Sequence, residues 1–144
     1  MKKIVSVVTV LVALLMLAGC NAEPAGIPKY LDKECYYGKG IQDYTDYCKF
    51  FYNEETVKEF ATLSDYKKVA DSDIEEIKGY FEDFYGQAEN QKYYDKVDFD
   101  YNTQVKQGDY FRIVTKDGYP EYGYYDIYYV DMTKCILYFV HSNI

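Results

Sequence analysis

The sequence predicts an α+β domain with two layers, in which one main helix packs on a four-stranded antiparallel meander sheet and a short helical segment comes first. Three observations predict this fold class. Apolar residues recur at spacings of three and four between positions 74 and 88, as in a helix with one buried face. From position 96 the period changes to two, as in strands with one dry and one wet face. Short connections separate the last segments, which favours antiparallel neighbours.

The elements are expected in the following order. Residues 41–52 and 54–63 each predict a short helix. Ser72 and Glu75 have the spacing of a capping box at the start of the main helix. The apolar stripe of that helix consists of Ile74, Ile77, Phe81, Phe84 and Ala88. The four strands are expected at residues 97–102, 110–116, 124–130 and 135–141.

The first twenty residues have the form of a secretory signal. Two lysines precede an apolar run over positions 4–18, which is short for a membrane span. The run ends Leu17-Ala18-Gly19-Cys20, which resembles the lipobox of bacterial lipoproteins. The resemblance implies that residues 1–19 are a cleaved signal peptide and that Cys20 carries acyl chains such as palmitate. Residues 20–30 would then be the lipidated cysteine and a tether, and residues 31–144 a single domain.

Charge narrows the classes of partner. The chain has 144 residues, with 16 Lys and Arg against 24 Asp and Glu, a net charge of −8. Loss of residues 1–19 removes two lysines and no acid, so the mature chain carries −10. An acidic chain is a poor binder of nucleic acid, because phosphate neutralisation needs a basic surface. The expected partner is the lipid bilayer, through acylated Cys20, with an envelope protein or glycan as ligand.

Three cysteines remain after Cys20. Cys35 and Cys48 lie close in sequence with two glycines between them, and they are the favoured candidates for a disulfide outside the cytoplasm. Cys135 would then keep a free thiol. The alternative is that all three are free and partly buried, which is ordinary for cysteine.

Residues typical of catalysis are few. His141 is the single histidine and lies next to the C-terminus, with no serine or cysteine motif near it. Asp98-x-Asp100-x-Asn102 resembles the opening of a calcium loop, but Thr103 stands where such loops need glycine and Asp109 stands where they need glutamate. We therefore expect no catalytic residue, no metal and no cofactor, and we interpret the alternating acids as the wet face of a strand.

Tyrosine is the most distinctive part of the composition, with 20 Tyr and no Trp. Adjacent tyrosines on a strand point to opposite faces of a sheet. Tyr124, Tyr128 and Tyr138, beside Asp126, are therefore expected either to form an exposed aromatic binding face opposite the helix or to pack in the core. Exposed tyrosines of this kind suit a sugar or a protein partner.

Several stretches of the chain resemble a group of short lipoproteins encoded by anaerobic gut Firmicutes. They are Tyr66-Lys67-Lys68-Val69, residues 73–81 (DIEEIKGYF), Gly108-Asp109-Tyr110-Phe111, Lys116-Asp117-Gly118 and residues 138–144 (YFVHSNI). The resemblance covers residues 66–144 and the lipobox. It implies a location at the cell surface and one compact domain, and it implies no activity.

These observations predict a membrane-anchored extracytoplasmic lipoprotein that acts as a non-catalytic binding domain for an envelope protein or glycan. Two alternatives remain open. One is a protective or inhibitory lipoprotein that blocks a hydrolase, and the other is an envelope hydrolase that works through carboxylates.

Overall fold

The computed structural model describes residues 24–39 and 43–144, and over these residues it confirms the α+β class. The described strands form one antiparallel sheet in the order β1-β2-β6-β5-β4-β3. They are β1 (Asp32–Tyr37), β2 (Tyr44–Phe51), β3 (Lys67–Lys68), β4 (Tyr110–Thr115), β5 (Tyr124–Asp131) and β6 (Ile136–Asn143). The α-helices are α1 (Asp71–Ala88) and α2 (Tyr101–Gln104), and 3₁₀ helices span Thr56–Thr62 and Tyr94–Lys96.

The described sheet has six strands rather than the expected four, because β1, β2 and β3 add to the expected strands and the strand expected over residues 97–102 does not form. The helix predicted over residues 41–52 is wrong. Residues 44–51 form β2, which pairs with β1 on one side and with β6 on the other. Five of its eight residues are buried, on both faces of the sheet, so its sequence shows no period of two. The second expected helix is present as the 3₁₀ helix Thr56–Thr62.

The first predicted strand, over residues 97–102, is also wrong. Asp100 caps helix α2 there, since its carboxylate accepts hydrogen bonds from the N–H of Asn102 and the hydroxyl of Thr103. Asp98 accepts hydrogen bonds from the Tyr47 hydroxyl and the Lys49 ammonium, both at 2.8 Å. The alternation of acids with apolar residues therefore comes from capping and pairing rather than from a sheet.

Helix α1 has the predicted apolar face but begins earlier than its expected cap. Ile77, Phe81, Phe84 and Ala88 are buried against the sheet. The N-cap is Ala70, whose N–H donates to the Asp73 carboxylate at 2.9 Å, so the pair Ser72 and Glu75 does not form the cap. Aromatic rings fill the space beneath the helix: the ring centre of Phe99 lies 4.6 Å from that of Phe81 and 4.3 Å from that of Tyr138.

The sheet is also covered over part of its other face, which we call the outer face. Tyr30, from the N-terminal segment, packs its ring edge on Phe50 at 5.0 Å. Phe60, from the 3₁₀ helix Thr56–Thr62, contacts Tyr52 and Tyr66 at 5.3 and 4.9 Å. A second buried cluster therefore lies opposite helix α1, and the residues that the structure describes leave one end of the outer face uncovered.

Among the described residues, no helix has the length and apolar character needed to cross a bilayer.

Candidate functional site

A cavity of about 270 Å³ occupies the open end of the outer face, and we call it the outer cleft. Its position follows from the register of β2, β6 and β5, which aligns their side chains in rows across the sheet. Among the residues of these strands that line the cleft are Tyr44, Asp46, Tyr124, Asp126, Tyr128 and His141, and Lys33 of β1 lines it as well.

The central row of the cleft is polar. Asp46 pairs with His141 across β2 and β6, and Asp126 pairs with the same His141 across β5 and β6. The Nδ1 atom of His141 lies 2.6 Å from Oδ1 of Asp126, and because carboxylate oxygens accept hydrogen bonds, Nδ1 carries the proton. This contact fixes the plane of the imidazole and leaves Nε2 as its second polar atom.

Aromatic rings border the polar row on both sides. Tyr44 and Tyr124 lie one row further out, and their ring centres are 5.4 and 5.3 Å from that of His141. Phe139 and Tyr128 form the row further in, with ring centres 4.9 Å apart. The cleft is therefore an aromatic slot with a polar floor.

Burial raises the pKa of the Asp46 carboxyl, and the negative charge of Asp126 acts in the same direction. The N–H of Gly38, which donates to Asp46 at 2.9 Å, and the nearby His141 act in the opposite direction but do not cancel the effect. The cleft thus holds one carboxyl that takes up a proton more readily than an exposed aspartate.

Two cations of the protein lie on the tyrosine rings of this face. The Arg112 guanidinium lies 4.9 Å from the ring centre of Tyr128. The Lys116 ammonium lies 5.1 Å from the ring centres of both Tyr119 and Tyr124. Cation–π contacts of this kind hold the rings in place and occupy one face of each.

The disulfide between Cys35 and Cys48 lies beside the cleft and joins β1 to β2, with the two Cα atoms 4.1 Å apart. This is the pairing that the sequence favoured. Cys135, in the turn before β6, has a free thiol. Cys20, the expected site of lipidation, lies outside the described residues, as do residues 1–19.

The structure brings together three of the four residues of the expected binding face. Tyr124, Asp126 and Tyr128 share the outer face, although Tyr128 is almost fully buried. Tyr138 does not join them, because it faces helix α1 and packs on Phe99 in the other core. Of the two expectations for Tyr138, an exposed position and packing in the core, the structure shows packing in the core.

Sequence reasoning missed Asp46, Tyr44 and the role of His141. A helix predicted over residues 41–52 placed the first two away from the sheet, and His141 was interpreted only as the end of the last strand. No local signal marks Tyr44 and Asp46, because β2 is buried on both faces over most of its length and its sequence shows no period of two.

The described residues contain no group of three or more His, Cys, Asp or Glu side chains that could hold a metal ion. The acids of the calcium-like stretch are used elsewhere. Asp109 is buried and accepts hydrogen bonds from the Tyr129 hydroxyl at 2.6 Å and the Met132 N–H at 3.0 Å.

Comparison of the chain with known protein families, with curated proteins and with solved structures finds no match in any of the three.

Proposed function

We propose that the chain is a membrane-anchored, extracytoplasmic lipoprotein whose domain binds a ligand in the outer cleft and does not act as an enzyme. The observation that carries this proposal is the polar row Asp46, His141 and Asp126 between bordering aromatic rings. Small-molecule sites combine apolar walls with a few convergent polar groups in the same way.

The anchor follows from the N-terminal sequence. A positive start, an apolar run and the lipobox-like Leu17-Ala18-Gly19-Cys20 support acylation of Cys20 and export from the cytoplasm. Two acyl chains give a stable anchor, where one chain gives only weak attachment. The bilayer is then the first partner of the protein, and the ligand of the cleft is the second.

One observation favours a second candidate, a carboxylate-based envelope hydrolase. Asp46, with its raised pKa, lies in the same cleft as Asp126, which is paired with His141. Glycoside hydrolysis uses a proton-donating acid and a second carboxylate in one cleft. In that case Asp46→Asn would abolish turnover of the cleft ligand while leaving its binding intact.

The binding proposal is tested with residues 20–144 carrying Cys20→Ser, immobilised and exposed to an envelope extract of the host cell. Proteins and glycans that are retained, and that free domain competes off, are identified by mass spectrometry. The same experiment is run with Tyr44→Ala in the cleft and with Tyr94→Ala, an exposed tyrosine outside it.

Retention that is lost with Tyr44→Ala and kept with Tyr94→Ala is the expected result. A captured hydrolase whose activity falls on binding would instead favour the inhibitory alternative. Equal retention by both variants, each shown to be folded by circular dichroism, would contradict a binding role for the cleft.

The anchor is tested by metabolic labelling of the full chain with radioactive palmitate. We expect label in the membrane fraction, and its loss with Cys20→Ser. Label that persists in the variant, or protein that leaves the cell without label, would contradict lipidation at this residue.

A further inference from the structure

The N-terminal segment of the described domain is docked on the outer face rather than extended away from it. The Arg112 guanidinium donates to the Ala25 carbonyl at 3.3 Å, and the Leu31 N–H donates to the Phe51 carbonyl at 2.8 Å. Gly26 has a positive φ of 76°, and a Cβ there would lie 2.9 Å from the Arg112 guanidinium. Residues from position 24 onward therefore belong to the folded domain.

This docking limits how far the outer cleft can lie from a lipid anchor. Pro24 lines the cleft and follows Cys20 by only four residues. A fully extended chain spans at most about 3.6 Å per residue, so a separation of four residues can span at most roughly 14 Å. If Cys20 is acylated, as the proposed function holds, the cleft lies close to the lipid headgroups.

The charges around the cleft disfavour a charged ligand of either sign. An anionic ligand would meet the carboxyls of Asp46 and Asp126, and the domain as a whole is acidic. A cationic ligand would meet the Lys33 ammonium, which lines the cleft, and would compete with Arg112 and Lys116 for the ring faces of Tyr128 and Tyr124. A neutral ligand avoids both conflicts.

The shape and polarity of the cleft select a polyhydroxyl ring. Carboxyl, imidazole and phenol groups exchange hydrogen bonds with hydroxyls, and aromatic rings pack against the C–H face of a sugar through their negative π faces. A volume of about 270 Å³ suits one small ligand.

We propose that the outer cleft binds the neutral sugar headgroup of a membrane glycolipid. The inference rests on the proposed function, since the acylated Cys20 is what brings the cleft to the bilayer. The side chains that make the site are Tyr44, Tyr124, Asp46, Asp126 and His141.

The test is vesicle binding by residues 20–144 carrying Cys20→Ser, a variant that keeps every residue the structure describes. The vesicles are phosphatidylcholine alone, phosphatidylcholine with digalactosyldiacylglycerol, and phosphatidylcholine with phosphatidylglycerol. We expect binding to the glycolipid vesicles only. Tyr44→Ala should weaken it roughly tenfold, as is usual for a truncated aromatic anchor, and Tyr94→Ala should not.

Competition with a soluble sugar distinguishes a membrane glycolipid from a free saccharide as the ligand. Free galactobiose should compete with the vesicles, which would support the cleft as the sugar site. Binding of free galactobiose with no preference for glycolipid vesicles would overturn the membrane source. Folded protein that binds neither probe would overturn the inference, while the envelope capture experiment decides separately whether the cleft binds another ligand.

Discussion

The buried tyrosines Tyr129 and Tyr66 allow a matched test of the packing. Replacement by Phe removes a hydroxyl that, over the described residues, is hydrogen-bonded in Tyr129 and lacks such a bond in Tyr66. The Tyr129 hydroxyl lies 2.6 Å from Oδ2 of Asp109 and accepts a hydrogen bond from the Lys106 N–H at 3.1 Å. The Tyr66 hydroxyl is also buried, and within the described part of the chain it makes no hydrogen bond of standard geometry, although the Arg112 guanidinium lies nearby.

Tyr129→Phe should destabilise the domain by about 2–4 kcal/mol. A hydrogen bond to a charged group contributes about 1.5–3 kcal/mol, and the Lys106 N–H would lose its acceptor as well. Asp109 is only 2% exposed, so water cannot replace the lost donor without rearrangement. Tyr66→Phe should leave the free energy of unfolding unchanged or raise it, because no hydrogen bond of standard geometry is lost and a buried unpaired hydroxyl is removed.

The assay is urea denaturation followed by circular dichroism, with the m-value checked for constancy. Burial raises the pKa of Asp109 above its ordinary 3.8, and the Tyr129 hydrogen bond opposes that rise. Removal of the hydroxyl therefore raises this pKa further, and a raised carboxyl pKa means that stability is gained as the pH falls toward about 4. The deficit of Tyr129→Phe should shrink over that range. Equal losses in Tyr129→Phe and Tyr66→Phe would refute the reasoning.

Three further predictions concern the helix, the cleft and the disulfide. Gly86→Ala should stabilise by about 0.5–1 kcal/mol in thermal melts, since a Cβ there meets nothing within 4 Å, and Gly79→Ala should gain less because its Cβ would lie 3.1 Å from a tyrosine hydroxyl. Asp46→Asn should raise the melting temperature at neutral pH, because it removes a half-buried carboxylate whose pKa is raised. This gain should vanish as the pH falls through the raised pKa of Asp46 toward 3.8, and a gain that is independent of pH would contradict the prediction. Replacing both Cys35 and Cys48 by Ser should lower the free energy of unfolding by about 3 kcal/mol in guanidinium titrations, as expected for a 13-residue separation, and an unchanged midpoint would contradict a structural role.

The parts of the fold that could be predicted are those with one buried face. Helix α1 showed its stripe because the opposite side of the helix meets water. Strands β4, β5 and β6 were located within a residue or two, because turn residues such as Asp117-Gly118 interrupt the apolar runs. The local pattern of apolar residues was sufficient to locate an element wherever only one of its sides is buried.

The parts that failed depend on contacts distant in sequence. Strand β2 is covered on both faces, and its place between β1 and β6 rests on pairing with residues about a hundred positions away, such as Tyr44 with Asn143. The polar row of the cleft has the same origin, since His141 meets Asp46 only once β2 is in the sheet. No local pattern contains this information.

The outer cleft lies where apolar rows of the outer face give way to a polar row. Phe50, Leu137 and Val130 form a wholly apolar row, and the second buried cluster encloses them. Covering the row of Asp46, His141 and Asp126 in the same way would cost several kcal/mol unless each group gained new partners. A ligand that offers hydroxyls to this row and a C–H face to the bordering rings would supply those partners, and Pro24, which lines the cleft, follows Cys20 by four residues. The polar row that the described residues leave uncovered therefore lies beside the segment that would join the domain to the bilayer.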